Sequence, residues 1–181
     1  MSEVPKPSGP PPPDRIAKGM VYATWILTLG LLTWGFSHWF EAQRNPNQQV
    51  NSAVVDGATE IVLERNRYGH YNASGSINGH PVEFLLDTGA TWVAIPARLA
   101  DRLALVRGHP TQVRTANGDA VAYVTRLTSV RLGDIELRDV RAHISPGMQG
   151  DEVLLGMSVL KNLEFRQRGN ILTLRQPQAP R

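Results

Sequence analysis

Hydrophobic and polar positions divide the chain into stretches of different period. From Met20 to Phe40 no acid, lysine or arginine interrupts an apolar run. About 21 residues at about 1.5 Å each reach about 31 Å, enough for a bilayer core of about 30 Å. Tyr22 and Trp25 near one end and Trp39 and Phe40 at the other suit the two membrane interfaces, whereas Trp34 lies deeper. The pattern predicts a transmembrane helix over 19–41. A cleaved signal peptide is the competing reading, but its apolar core is usually about 7 to 15 residues, followed by small residues. This run instead closes on the bulky His38-Trp39-Phe40-Glu41.

Residues 1–18 carry Pro5, Pro7 and Pro10 to Pro13 and lack apolar periodicity, which predicts a disordered tail. Residues 42–58 are polar and aperiodic, including Asn45-Pro46-Asn47-Gln48-Gln49, and read as a linker. From Thr59 onward short apolar runs alternate with turn signals at strand spacing. Ile61 to Leu63 predict a first strand. Tyr71–Ile77 and Val82–Leu86 form a hairpin through Asn78-Gly79, a strong two-residue turn signal. Trp92 to Ile95 resume a strand, and Pro96 opens a short helix over 97–103. Thr111 to Arg131 fold as a long hairpin around Asn117-Gly118. Val130 to Leu137 make another tight turn, and Val140 to Ile144 continue it. Val153-Leu154-Leu155 is a further strand. Met157, Leu160 and Leu163 have the spacing of a short helix with one buried stripe. Phe165 and Ile171 to Leu174 close the domain, so 59–175 reads as one all-β domain and 176–181 as a frayed end.

Composition narrows the chemistry. The 41% apolar and 19% charged content suits a globular domain, and the absence of cysteine removes disulfides and thiolate metal sites. Nineteen basic against sixteen acidic residues are scattered without a basic run, which argues against nucleic-acid binding. His70, His80, His109 and His143 lack metal-ligand spacing, and no Gly-x-Ser-x-Gly or phosphate loop occurs, so neither a metal nor a cofactor is expected. Asn72-Ala73-Ser74 matches a glycosylation sequon of consequence only in a eukaryotic secretory route. Lys6, Arg15 and Lys18 precede the apolar run and only Arg44 follows closely. The positive-inside tendency then puts the N-terminus in the cytoplasm and the domain across the membrane, in the periplasm of a bacterium, with the inner membrane as anchor.

One stretch holds reactive chemistry. Phe84-Leu85-Leu86 run directly into Asp87-Thr88-Gly89-Ala90. The apolar triplet predicts a strand buried on both faces, and a lone carboxylate at its end would be penalised by desolvation. An acid retained there needs donors or a second carboxylate around it. Gly89 allows a tight turn, and the Thr88 hydroxyl can lock the loop. The bland alternative is a strand-to-turn junction that Asp87 merely caps.

Phe84 to Ala90 resemble the active-site loop of aspartic proteases. With the hairpin tip Thr115-Ala116-Asn117-Gly118 and the later Leu154-Leu155-Gly156 before a short helix, the order resembles the retropepsin-like aspartic proteases, in particular single-lobe, membrane-anchored bacterial members. The resemblance spans about 59–174. It implies one closed β barrel with one or two short helices, Asp87 as the catalytic acid, and the hairpin tip as a flap over a peptide or protein substrate. It also implies that Leu154-Leu155-Gly156 threads beside the catalytic loop. A plain surface hairpin remains open as a reading of the flap.

The chemistry of this family needs two carboxylates around one water, sharing one proton. Asp101, Asp119, Asp134, Asp139 and Asp151 are not followed by Thr-Gly or Ser-Gly, so the chain carries half a site. A two-fold homodimer would pair Asp87 with its copy. The competing expectations are a non-catalytic module of the same fold, binding or scaffolding peptides through its cleft or sheet edge, and a scaffold without cleft chemistry.

Overall fold

The computed structural model describes residues 15–115 and 118–177. Most of the expected N-terminal tail, the hairpin-tip residues Ala116 and Asn117, and the last four residues of the expected frayed end lie outside the described residues. The chain divides into two compact units, Met1–Glu41 and Ala42–Arg181.

The first unit is built on helix α1 (Arg15–Arg44), whose last turn belongs to the second. Its apolar side chains are exposed around the whole circumference, Trp25, Ile26, Leu31 and Trp34 among them. Such a helix is long and apolar enough to cross a membrane. Two of its hydroxyls donate within the helix, Thr24 Oγ1 to Met20 O at 2.9 Å and Ser37 Oγ to Thr33 O at 2.8 Å. This is how hydroxyls are accommodated in an apolar phase. The helix ends before Pro46, because the residue preceding a proline is pushed out of the α region.

The second unit is all-β with two short helices. Its strands are β1 (Ser52–Val55), β2 (Ala58–Glu64), β3 (Asn72–Ile77), β4 (His80–Leu86), β5 (Val93–Pro96), β6 (Pro110–Thr115), β7 (Gly118–Leu132), β8 (Ile135–Ser145), β9 (Glu152–Leu155), β10 (Glu164–Arg168) and β11 (Ile171–Gln176). Helix α2 (Ala97–Arg102) follows β5, and α3 (Met157–Leu160) follows β9. One sheet runs β3-β4-β9-β5-β8-β7-β6 and also pairs β3 with β7. The pairing of Ser76 with Arg131 and Ile77 with Val130 closes six of those strands into the expected barrel. A second sheet, β1-β2-β11-β10, sends Ile61, Leu63, Leu172 and Leu174 into the common core with Phe84, Ile95, Leu127, Ile144 and Leu155. The β3–β4 turn has Asn78 at φ 50° and Gly79 at φ 83°, the positive values that a two-residue hairpin demands.

Three expectations are corrected. The stretch 42–58 is not a linker: Asn45 and Asn47 are buried, and β1 pairs with β2. Asn47 explains how so polar a segment folds. Its Oδ1 accepts the Glu64 N–H at 2.7 Å, and its Nδ2 donates to Glu64 O at 2.9 Å and Asn72 O at 2.6 Å. One buried amide thus supplies the ladder partners of two strands, which polarity alone does not reveal. Gln176, expected to fray, pairs with Thr59 and donates to Glu136 O at 3.1 Å. The triplet before Asp87 is not buried on both faces: Phe84 is buried, while Leu85 and Leu86 are half-buried.

Candidate active site

Asp87 stands where β4 leaves the barrel. Its N–H donates to Leu155 O at 3.2 Å, so the parallel β4–β9 ladder continues as far as the acid. Beyond it the chain turns on the carboxylate itself: Gly89 N–H donates to Asp87 Oδ1 at 2.8 Å and Ala90 N–H to Asp87 O at 3.3 Å. Gly89 keeps a side chain away from the carboxylate. A Cβ there would stand 3.1 Å from Asp87 Oδ1, and its φ is not in the left-handed region.

Leu154, Leu155 and Gly156 hold this loop from beneath. Strand β9 lies between β4 and β5, parallel to the first and antiparallel to the second. Past Gly156, the Met157 N–H donates to Ala90 O at 2.8 Å and the Ser158 N–H to Thr91 O at 2.9 Å. A Cβ on Gly156 would meet Trp92 O at 2.3 Å and Ala90 O at 2.6 Å, so only glycine lets the two segments approach this closely. Ser158 adds a clamp that its place in an apolar helix pattern conceals. Its hydroxyl accepts the Val93 N–H at 3.2 Å and donates to Arg141 O at 3.0 Å. Together these bonds fix both ends of the loop to rigid strands.

The outer side of the loop is open. Asp87 is half-buried, whereas Thr88 and Gly89 are exposed. Asp87 is therefore not the deeply buried acid that a strand buried on both faces implies. The expected lock by Thr88 is not among the described hydrogen bonds of this chain. The other acids considered lie elsewhere. Asp101 pairs with Arg107, Asp119 with Arg114, Asp139 with Arg126 and Asp151 with Arg102, while Asp134 sits at the β7–β8 turn. Among the described residues no group of three or more His, Asp or Glu side chains could hold a metal ion.

Strands β6 and β7 form the predicted long hairpin, with Thr115 paired to Gly118 and the Thr115 hydroxyl donating to Gly118 O at 2.7 Å. Near the loop's far end the Trp92 ring lies 6.2 Å from that of His143. Burial lowers the His143 pKa from its ordinary 6.5, and its Nδ1 has no hydrogen-bond partner.

Comparison with known proteins gives a consistent answer. Residues 73–162 match the family model described as "gag-polyprotein putative aspartyl protease". The crystal structure of a retropepsin-like aspartic protease from Rickettsia conorii covers 71% of this chain and 96% of its own, at 29% identity and a TM-score of 0.57. The chain belongs to the retropepsin-like aspartic protease family. An uncharacterized protein in the cobV 5′ region of Sinorhizobium sp is 29% identical over 157 residues, 80% of this chain and 67% of that protein. An uncharacterized protein of Rickettsia prowazekii is 27% identical over 161 residues, 84% of this chain and 69% of that one. The matched span of the family model begins in β3 and ends just past α3. It thus takes in the Asp87 loop, the β6–β7 hairpin and Gly156 of this retropepsin-like chain.

Proposed function

We propose that this chain is a membrane-anchored aspartic endopeptidase that acts as a homodimer, each copy lending Asp87 to one dyad. The observation that carries the reading is the Asp87–Ala90 loop, sewn to β9 and α3 from beneath while Thr88 and Gly89 stay exposed. A half-site braced on one side and open on the other suits a second copy approaching about a two-fold axis. Thr88 of each copy would then bond to the partner's loop.

Two carboxylates brought together around one water share one proton and titrate as a pair. The ionised member takes a proton from the water as its oxygen bonds to the scissile carbonyl carbon. The protonated member gives its proton to the carbonyl oxygen, forming a gem-diol. Collapse of the diol returns a proton to the dyad and delivers another to the departing amine. Residues 115–118 would close over an extended peptide as a flap. Helix α1 would be the anchor, spanning about 20–40 of an inner membrane. Lys6, Arg15 and Lys18 favour a cytoplasmic N-terminus and a periplasmic domain.

Asp87→Asn tests the assignment. The amide oxygen can still accept the Gly89 N–H, so the loop should keep its form while general-acid–base chemistry is lost. Peptide cleavage is expected to fall by about a thousandfold or more, with an unchanged circular-dichroism spectrum. Full cleavage by a folded variant would refute the reading.

A further inference from the structure

The face that carries Asp87 has an acidic far end. Pairing sets Glu83 opposite Glu152 and Leu85 opposite Leu154, and the ladder continues to Asp87. Strand alternation therefore puts Glu83, Leu85 and Asp87 in phase on β4, with Glu152 and Leu154 in phase beside them on β9. Burial agrees, since Phe84, Val153 and Leu155 are buried while Glu83, Leu85, Glu152 and Leu154 are half-buried. The result is a stripe that runs from the catalytic acid over two leucines to two carboxylates. Glu83 lies about 13 Å along the strand from Asp87, and the leucines fill the interval.

Like charges set side by side on neighbouring strands are unfavourable without a counter-charge. Here both are held in place by Asn72, whose buried Nδ2 lies 3.1 Å from Glu83 Oε1 and 3.2 Å from Glu152 Oε1. A cation already visits the site. Arg44 places Nη2 at 2.5 Å and Nε at 3.0 Å from Glu152 Oε1. Both partners keep solvent exposure, 49% for the arginine side chain and 27% for the glutamate. With both partners still reached by solvent, another guanidinium can compete with Arg44 for Glu152. Arg44, Glu83 and Glu152 also border a cavity of about 640 Å³, lined further by Val82, Leu99, Leu103 and the Arg102–Asp151 pair rather than by Leu85 or Leu154.

We propose that the Leu85–Leu154 stripe ending at Glu83 and Glu152 is a specificity subsite for an arginine or lysine side chain of the substrate, and that Arg44 occupies its acidic end as an internal stand-in. The two leucines take the aliphatic stem and the carboxylates take the charged head, the division of labour that long cationic side chains favour. The subsite rests on the peptidase reading above, because it is defined by its distance from Asp87. It makes the enzyme select basic residues near the cut, and Arg44 compete weakly for the same position.

The test uses the full chain in detergent micelles and peptide pairs that differ at one position, arginine against the uncharged norleucine. Wild type is expected to favour the arginine member at one position near the cut by about tenfold or more in kcat/KM. Glu152→Gln, or Glu83→Gln should the first variant misfold, is expected to bring that ratio close to one. Arg44→Ala is expected to lower KM for the arginine peptide severalfold with kcat little changed. Equal cleavage of both members would overturn the subsite and leave the peptidase standing. If neither member is cleaved, fluorescence anisotropy of the labelled peptides decides. Arginine-selective binding that Glu152→Gln removes would keep the subsite and reject hydrolysis, and indifferent binding would reject both.

Discussion

At the scale of single residues, His143 is the side chain whose environment sets a measurable pH response. It sits on β8 opposite Ala94 and Val124, beside Trp92, with Nδ1 buried and unpartnered. Burial disfavours the imidazolium, so its folded pKa lies below the 6.5 of the unfolded chain. The unfolded state then binds the proton more readily below pH 6.5. Stability is therefore full above that value and is lost as the pH falls toward the folded pKa. The melting temperature of wild type should drop between about pH 7 and pH 5 more steeply than that of His143→Phe. Parallel curves for the two proteins would show that His143 takes no part. Glu136 shifts in the same direction from a different cause: the hydrogen bond from Arg131, with charge support from Arg138, keeps it below the usual carboxylate range.

At the scale of elements, the segment after α1 is a structural part of the barrel. Asn47 satisfies Glu64 and Asn72 at once, its own carbonyl accepts the Ser74 N–H at 3.1 Å, and Asn45 Oδ1 accepts the Asn47 N–H at 3.0 Å. Cutting Asn47 back to alanine leaves backbone groups of two strands without these partners, the buried Asn72 O and the part-buried N–H and O of Glu64. Each such group costs about 1–3 kcal/mol. Asn47→Ala should therefore lower the unfolding free energy by at least about 2 kcal/mol in urea titration, with cleavage lost in step. A variant as stable as wild type would return this segment to the status of a tether. Because β3 carries one side of the clasp and β4 ends just before Asp87, disturbance here reaches the candidate site through one hairpin.

At the scale of the whole molecule, the proposed homodimer makes a prediction about stoichiometry. Wild type and Asp87→Asn, mixed in equal amounts and allowed to exchange, should leave about a quarter of the pairs with two carboxylates. Activity should fall to about that fraction, whereas monomers acting alone would keep about half. Measured retention of half would exclude the shared dyad. Co-anchoring by α1 should strengthen pairing, since confinement to a surface raises effective concentration.

The sequence alone determined most strands from β2 onward, the Asn78-Gly79 turn, the long apolar helix and the loop that carries Asp87. Each is written in local period and turn chemistry, which need no distant partner to be read. The barrel's closure was legible only as a resemblance, because the β3–β7 pairing joins residues more than fifty positions apart. Tertiary structure alone decided that Asn45 and Asn47 are interior residues, that Ser158 clamps the loop, and that Leu85 and Leu86 are only half-buried. It also brought Glu83, Glu152 and Arg44 together. Polar residues carry no period that announces a buried role, and only the folded ladder determines which donors and acceptors they meet.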